Sequence, residues 1–385
     1  PPRSTLFPYT TLFRSMRHPY AVTADIENMF HNIAVPKNQT TYLRFFWYKN
    51  NDPNKPIIEY WSNVQLMGIK SSPANANLTV RYAARKHPPK NGKQWLQEDD
   101  LLDPDQINRT RQPDEVESTL CEQTYVDEFL VSSPTPQEAS DIMAEGIKRL
   151  GRYNLNLCKV QSNDESIRKQ YPSEQAPPTT ISLAPRDLIT DLPPGTSLGL
   201  QWDLKKDEFS IKTEKQNRPR TKRGLLGHIM APFDPMGMVA PAMLPCKLLQ
   251  REIFPPQDND PHQFNKLGWD DPIPLRFEKQ WQEMTEICQE VQRITKPRAF
   301  YPKGCGIPVH QQLFGFADAS EYAICYAIYM RTKTTNGQIH VANVAGATRI
   351  LAKGTTFKGV LSIPRAELCA ADELVKRVLQ IENDL

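Results

Sequence analysis

Two short segments rich in β-branched and aromatic residues flank a pair of acidic residues near the middle of the sequence. The segments are Thr124-Tyr125-Val126 and Phe129-Leu130-Val131, and the acids between them are Asp127 and Glu128. Residues of these types favour strands, and two such runs this close together predict an antiparallel hairpin. The chain must therefore form a sheet that accommodates a hairpin with two carboxylates at its tip.

The composition is that of a globular protein, since 39% of the 385 residues are hydrophobic and 24% are charged. This length accommodates two or three domains. The 47 basic and 44 acidic side chains leave a formal net charge of +3, which does not by itself indicate a nucleic-acid-binding protein. The sequence has neither an apolar stretch long enough for a membrane span nor a secretory signal, so we predict an intracellular protein without a membrane partner.

Prolines are numerous, 34 of 385 residues, and they mark the expected boundaries. We interpret residues 1–15, where Thr-Leu-Phe occurs twice, as a non-native leader outside the fold. Residues 86–119 are charged and show no period, which predicts an exposed insertion. The proline-rich residues 165–195 predict a linker.

Three further segments have clear local patterns. Residues 21–30 form a β-prone run that contains Asp25 and then becomes amphipathic. Ser72 followed by Pro73 predicts a helix start, because serine caps helices and proline suits the first turn. Thr135 opens a capping box, and the apolar spacing that follows predicts a helix ending near Gly151.

Several of these segments occur in the order of the reverse-transcriptase palm motifs, with Lys159 following the last helix. The amino-acid sequence in and around these segments resembles the polyprotein of BEL/Pao long-terminal-repeat retrotransposons, over about residues 20–382. The motifs that carry the resemblance are Asp25-Ile-Glu-Asn-Met-Phe30-His31, Gly68-Ile-Lys-Ser-Ser-Pro73, Tyr125-Val126-Asp127-Glu128, Phe233-Asp-Pro-Met-Gly237 and Ile363-Pro-Arg-Ala-Glu-Leu368.

The resemblance implies an RNA-directed DNA polymerase. Nucleotidyl transfer uses two Mg²⁺ ions, and hard cations require oxygen ligands. Asp25, Asp127 and Glu128 are the implied catalytic and metal-binding residues. The hairpin of the resembled family ordinarily carries two aspartates, so Glu128 adds one methylene, and we expect catalysis to be impaired.

The resemblance also implies a nucleotide-binding set. Phe30 would be the aromatic residue that closes over the sugar and selects deoxynucleotides. A role as a core aromatic at a strand-to-helix junction explains this residue equally well. Lys159 would approach the leaving pyrophosphate. The segment that shapes the floor beneath the template and the nucleotide would include Gly68, Ser72 and Pro73.

A second acidic pair lies near the end of the sequence. The resemblance implies a ribonuclease H-like region over residues 312–385, with Asp318 at the end of its first strand and Glu367 on its first helix. We expect these two carboxylates to face each other. The sequence stops before the later acids of such a site, so we expect an incomplete domain without nuclease activity.

The predicted fold class is α+β. It comprises a palm with a ferredoxin-like antiparallel sheet and helices over residues 16–164, without fingers, and a thumb or connection region over 196–311. The incomplete ribonuclease H-like domain follows. The implied partners are an RNA/DNA template-primer, deoxynucleotide triphosphates and other parts of the polyprotein, in a cytoplasmic virus-like particle or in the nucleus.

Two other functions stay open. The region from Leu198 resembles the Pao retrotransposon peptidase family, but neither Asp-Thr-Gly nor Asp-Ser-Gly occurs in the chain, and Asp234-Pro-Met-Gly237 fits a type I turn better than a peptidase site. Alternatively, the protein is a catalytically dead or domesticated nucleic-acid-binding protein. Under that hypothesis the basic run from Arg218 to Arg223 would grip a phosphate backbone.

Overall fold

The computed structural model describes seven stretches of the chain, residues 8–85, 114–171, 180–182, 200–213, 217–254, 267–351 and 362–385. They divide into two units. The first unit contains the described residues up to 171 except 16–19, and the second contains residues 16–19 and those from 180 onward. The division lies within residues 165–195, the predicted linker, although a helix occupies the start of that segment.

The first unit contains both helices and strands. In chain order they are α1 (Pro8–Ser15), β1 (Tyr20–Ile26), β2 (Arg44–Tyr48), β3 (Ile57–Trp61), α2 (Ser72–Ala83), α3 (Glu115–Gln123), β4 (Thr124–Tyr125), β5 (Glu128–Ser133), α4 (Pro136–Gly151), β6 (Leu157–Ser162) and α5 (Glu165–Gln170). Helix α4 begins at a cap in which the Thr135 hydroxyl accepts the Glu138 N–H, and it ends at Gly151 as predicted.

Strand β1 lies inside a four-stranded antiparallel sheet of order β4-β5-β1-β6. Its buried residues Val22, Ala24 and Ile26 belong to one hydrophobic core. Phe129 and Val131 of β5 are the direct partners of Ala24 and Val22, so they extend the same face. Residues from α2, α3 and α4 complete this core, which places those helices on one face of the sheet.

Residues 8–15 are part of the fold, so their exclusion as a leader was wrong in this respect. Phe13 of α1 is fully buried. The Ser132 hydroxyl on β5 donates to the Arg14 carbonyl at 2.8 Å, and the Arg14 guanidinium lies 3.3 Å from the Glu122 carboxylate. Helix α1 therefore packs against β5 and α3.

Strands β2 and β3 pair with each other in an antiparallel ribbon. Several of its large apolar side chains are exposed, including Phe46, Trp47 and Trp61. Phe45 and Tyr60 are cross-strand partners and their rings stack at 5.7 Å.

Arg149 on α4 is a buried cation with three partners in the first unit. Its guanidinium forms a bidentate pair with Asp114, at 2.8 and 3.0 Å, and a 2.9 Å bond with Glu145. It also donates to the Ala84 carbonyl at 3.1 Å. Asp114 caps α3 and Ala84 follows α2, so one side chain connects three helices.

We expect Arg149→Met to destabilise the protein by about 2–3 kcal/mol, because it leaves Asp114 and the Ala84 carbonyl without their main donor. Urea denaturation measures the change. Lys148→Met is the matched control, since the neighbouring Lys148 is exposed and forms a 3.4 Å ion pair with Glu145. Equal losses in the two variants would contradict a structural role specific to Arg149.

The second unit contains two sheets and four long helices among its described residues. In chain order the elements are β7 (Thr180–Ser182), β8 (Leu200–Asp203), β9 (Glu208–Ile211), α6 (Lys222–Met230), α7 (Leu244–Ile253), α8 (Glu278–Glu290), β10 (Thr295–Pro297), β11 (Pro308–Ala319), β12 (Ala323–Thr334), β13 (Ile339–Ile350) and α9 (Ile363–Asp384). The strand orders are β10-β9-β8-β7 and β11-β12-β13. The architecture is a mixture of helices and antiparallel sheets, in agreement with the predicted class.

The long helix α9 packs on one face of the three-stranded sheet. Ala366 and Ala370 form a small buried cluster with Ile324 of β12. No helix in the described part of the chain is both long and apolar enough to cross a membrane.

Arg298 is a cation of the second unit whose side chain is fully buried. It forms a bidentate pair with Asp207 at 2.7 and 2.9 Å, and it donates to the carbonyls of His18 and Pro19, both at 2.9 Å. These four bonds pair most of the five guanidinium N–H donors and hold residues 16–19 in the second unit. His18 also lies 3.1 Å from the Tyr301 hydroxyl.

Burial, together with the neighbouring Arg17 and Arg298, lowers the pKa of His18 to about 4 from its ordinary value of 6.5. The unfolded chain therefore binds a proton on this imidazole that the folded chain excludes. We expect the stability contributed by His18 to be present above pH 6.5 and to be lost as the pH falls towards 4, by about 1–2 kcal/mol between pH 7 and pH 5. His18→Gln should flatten that part of the pH profile measured by urea denaturation, and an unchanged slope would contradict it.

Candidate functional site

The register of the first sheet brings the predicted acids to one end of it. Asp25 on β1 is directly opposite Glu128 on β5, and the Ile26 N–H donates to the Asp127 carbonyl at 2.7 Å. Directly opposed residues share a face of the sheet, with their Cβ atoms about 4.5–5.5 Å apart. Asp25 and Glu128 are therefore neighbours, with Asp127 beside them. A metal shared by the Asp25 and Asp127 carboxylates stays a prediction.

The hairpin turn differs from the predicted one by one residue. Tyr125 pairs with Glu128, so Val126 and Asp127 form the turn, and Glu128 begins β5. Val126, expected in the strand, has a φ of 56° and is buried. Two-residue hairpins require positive φ, and this conformation is unusual for a β-branched residue. The tip therefore holds a strained residue beside the acids.

Asn77 on α2 supports this tip, and none of the sequence motifs includes it. Its side-chain oxygen accepts the Val126 N–H at 3.3 Å. Asn77 follows Pro73 by four residues and so lies one helical turn beyond it. A separation of 49 residues gives no local signal for this contact.

The segment around Gly68 forms a turn into α2. Gly68 has a φ of 81°, which glycine adopts without strain. Ser72 was expected to cap the helix, but Ser71 occupies the cap position, and Pro73 lies in the first turn as predicted. The Ser72 hydroxyl instead donates to the Leu66 carbonyl at 2.7 Å and accepts from Gln65 at 2.8 Å. Ser72 therefore ties the turn to the helix.

Phe30 lies in a short 3-10 turn and is 7% exposed. It belongs to the hydrophobic core of the first unit. This burial supports its interpretation as a core aromatic, and its contact with a nucleotide sugar stays a prediction.

Lys159 contacts an acid of the site. Its Nζ lies 2.7 Å from Asp25 Oδ2, in an ion pair whose side chains are 63% and 31% exposed. The resemblance placed this lysine near a leaving pyrophosphate, and the pairing with Asp25 was not foreseen. A separation of 134 residues gives no local signal for the contact.

The chemistry of the acids suits Mg²⁺, because carboxylate oxygens are its preferred protein ligands. Their arrangement does not fit two ions. Within the residues that the structure describes, no group of three His, Cys, Asp or Glu side chains could hold a metal ion. Asp25 is instead neutralised by the Lys159 ammonium.

The second predicted acidic pair is arranged differently from the expectation. Asp318 is opposite Cys325, which is opposite Thr348. The neighbouring cross-strand pair is Ala319 and Ile324, and Ile324 packs against α9. Because successive residues of a strand alternate between faces, Asp318 belongs to the face away from α9. Glu367 lies on α9 and is exposed. This register weighs against carboxylates that face each other, so a shared role stays a prediction.

Asp234 forms the predicted turn. The Gly237 N–H donates to the Asp234 carbonyl at 3.3 Å, and the two Asp234 carboxylate oxygens accept the Met238 and Val239 N–H groups, both at 2.9 Å. Burial raises the pKa of Asp234. These bonds explain the residue structurally, without a peptidase role.

The basic run before and within α6 is paired inside the protein. Arg220 contacts Glu278, and Arg223 forms a 2.8 Å ion pair with Asp270. Lys222 is buried and donates to the Leu267 carbonyl at 3.0 Å. These contacts weigh against the hypothesis that the run grips a phosphate backbone.

Comparisons with known proteins find a similarity in the second part of the chain. Residues 221–385 match the family described as the Pao retrotransposon-like RNaseH-like domain. This part of the chain is therefore similar to a retrotransposon-like, RNaseH-like domain. The match begins well before residue 312 and so includes much of the region predicted as a thumb or connection. The sequence matches no curated protein.

A solved structure has a similar fold. A foamy viral protease-reverse transcriptase in complex with an RNA/DNA hybrid is similar at a TM-score of 0.50 and 13% identity, over 98% of this chain and 39% of that chain. A foamy viral protease-reverse transcriptase dRH in complex with double-stranded DNA matches at a TM-score of 0.46 and 14% identity, over 96% and 49%. The chain thus spans less than half the length of either protein.

We expect Asn77→Ala to loosen the hairpin tip, because the Val126 N–H loses its acceptor. The expected loss of stability is about 0.5–1 kcal/mol, with faster hydrogen exchange at the Val126 amide. Asn75→Ala is the control, since Asn75 lies on the same helix but donates to Gln65. Unchanged exchange at Val126 in Asn77→Ala would show that this bond does not hold the turn.

Proposed function

We propose that the first unit is the palm of an RNA-directed DNA polymerase of the reverse-transcriptase type. The observation that carries the proposal is the β1–β5 register, which places Asp25 opposite Glu128 and next to Asp127. The similarity of residues 221–385 to a retrotransposon-like RNaseH-like domain and the fold likeness to a viral reverse transcriptase support it.

The proposed reaction is nucleotidyl transfer from deoxynucleotide triphosphates to a primer on an RNA template. The solved foamy viral protein is in complex with an RNA/DNA hybrid, and we extend this class of partner to the present chain. The proposal includes a requirement for Mg²⁺. The side chains that would bind it are those of Asp25, Asp127 and Glu128. Other parts of a retrotransposon polyprotein complete the proposed set of partners.

The residues around the acids have positioning roles in this proposal. Asn77 holds the hairpin turn through Val126, and the turn fixes the backbone of Asp127 against β1. Glu128 reaches about one C–C bond further than an aspartate would, and displacements on the 1 Å scale cost about a hundredfold in rate. Low polymerase activity follows.

A second candidate function is nucleic-acid binding without catalysis. It is favoured by the Lys159–Asp25 ion pair and by the lack of a three-ligand group among the described residues. Catalysis predicts primer extension that depends on Mg²⁺, whereas binding alone predicts template affinity that falls with salt and no extension.

We expect Glu128→Asp to raise single-turnover primer extension on a primed RNA template by about ten- to a hundredfold. The gain should appear in turnover and leave template affinity unchanged, because the acids act on the transition state. Asp127→Asn is the matched variant that should abolish extension in the Glu128→Asp background.

Equal rates for Glu128 and its aspartate variant would show that the extra methylene is not limiting. Extension that survives Asp127→Asn would contradict the assignment of these acids. If the wild type, Glu128→Asp and the double variant with Asp127→Asn all bind the template and none extends the primer, nucleic-acid binding without catalysis would be favoured.

A further inference from the structure

The outer edge of β11 lacks the features that usually protect a sheet edge. Strand β11 is an end strand of the order β11-β12-β13, and within the described residues no strand pairs with its other side. It is twelve residues long, and its bulge is confined to the start, between Pro308 and His310. From His310 to Ala319 it contains no proline, lysine or arginine. Short strands, prolines, bulges and lysines are the usual protections, so β11 offers its backbone N–H and C=O groups to another strand.

The side chains on one face of this edge strand are also exposed. Because side chains alternate, the face that carries Asp318, away from α9, also carries His310, Gln312, Phe314 and Phe316. All five are exposed. Phe314 is 43% exposed and Phe316 is 61% exposed. Large apolar side chains grouped at an unpaired edge are typical of an interaction surface.

The order of these five side chains is complementary to itself when the strand is reversed. If two copies of β11 pair antiparallel about a twofold axis at Phe314, residues equally far on either side of Phe314 face each other. Phe314 then faces its own copy, and Phe316 faces Gln312. Asp318 faces His310, and symmetry makes this pair occur twice. Every facing pair lies on the same face of the sheet, as direct cross-strand partners must.

The chemistry of the His310 and Asp318 pair suits this register. An imidazole N–H donates to a carboxylate oxygen. One Asp318 carboxylate oxygen accepts the Ala319 N–H at 2.8 Å. A carboxylate has about four lone-pair sites, so Asp318 can accept the imidazole N–H as well. A shift of the register by two residues would end this match and place Asp318 opposite an uncharged residue.

We propose that a second copy of this chain pairs with the outer edge of β11, so that the two three-stranded sheets become continuous about a twofold axis at Phe314. The interface is isologous, because each copy contributes the same strand. It uses residues of the second unit and does not rest on the proposed function.

The opposite edge of the sheet limits this pairing to two copies. Backbone groups of β13 already bond other parts of the second unit. The Gly346 N–H donates to the Met236 carbonyl at 2.8 Å, and the Asn343 and Thr348 carbonyls accept lysine ammonium groups at 2.9 and 2.8 Å. Since β13 is not open to a further strand, the association closes as a dimer and does not continue into a fibre.

The first test measures association of the full chain by sedimentation equilibrium. Phe314→Glu places two like charges at the twofold axis, and we expect it to raise the dimer dissociation constant tenfold or more, as about 1.4 kcal/mol would. Val341→Glu is the matched control. Val341 is an exposed apolar residue of the same face, but it lies on β13 opposite Arg331, away from the axis. This variant should associate as the wild type does.

The second test exchanges the two residues of the polar pair. His310→Asp alone places two carboxylates opposite each other, and Asp318→His alone places two imidazoles opposite each other. Each single variant should weaken the dimer about tenfold. The double variant His310→Asp/Asp318→His restores the pair with its partners reversed, so it should associate within about twofold of the wild type.

A wild-type chain that stays monomeric throughout the micromolar range would overturn the proposal. A dimer that Phe314→Glu and Val341→Glu leave equally intact would show that the chain associates through another surface. Loss of the dimer in both single exchanges without recovery in the double variant would overturn the register centred on Phe314.

Discussion

The register of β1 between β5 and β6 is the constraint on which the candidate site depends. Side chains alternate along a strand, so a slip of one residue would turn Asp25 away from Glu128 and Val22 away from the core. The register is held by the apolar face, where Ala24 is paired with Phe129 and both are buried. The hydrophobic core therefore determines where the carboxylates lie, although no carboxylate belongs to it.

In the second unit, the buried cations Arg298 and Lys296 are each paired with more than one acceptor. Arg298 has Asp207 and two backbone carbonyls as partners, and Lys296 donates to the Asn343 carbonyl at 2.9 Å. Burial lowers the pKa of Lys296 to about 7, while the nearby Asp234 opposes that shift. Such groups would be costly to bury alone, and their partners make the burial tolerable.

Local patterns in the sequence predicted much of the fold. The hairpin at Asp127 and the helix capped by Thr135 each follow from residue types within a few positions of one another. Contacts over long separations could not be predicted in this way. The bond between Asn77 and Val126 and the partners of Arg220 depend on tertiary packing, which periodicity does not encode.

The candidate site was likewise predicted only in part from the sequence. The order of the motifs identified Asp25, Asp127 and Glu128, and the register then placed them at one end of the sheet. The left-handed conformations of Val126 and Lys159 had no signal in the sequence, because neither residue type favours them. Both residues occupy strained positions next to the acids, where local preference yields to the surrounding structure.

The Arg149 guanidinium joins three helices through one buried charge, since it lies on α4 and bonds to the Ala84 carbonyl after α2 and to the Asp114 carboxylate that caps α3. A buried cation that loses its acceptors is costly. Separation of any one of these helices from the other two would break part of this set of bonds. The three helices are therefore expected to open as one cooperative unit, not one at a time.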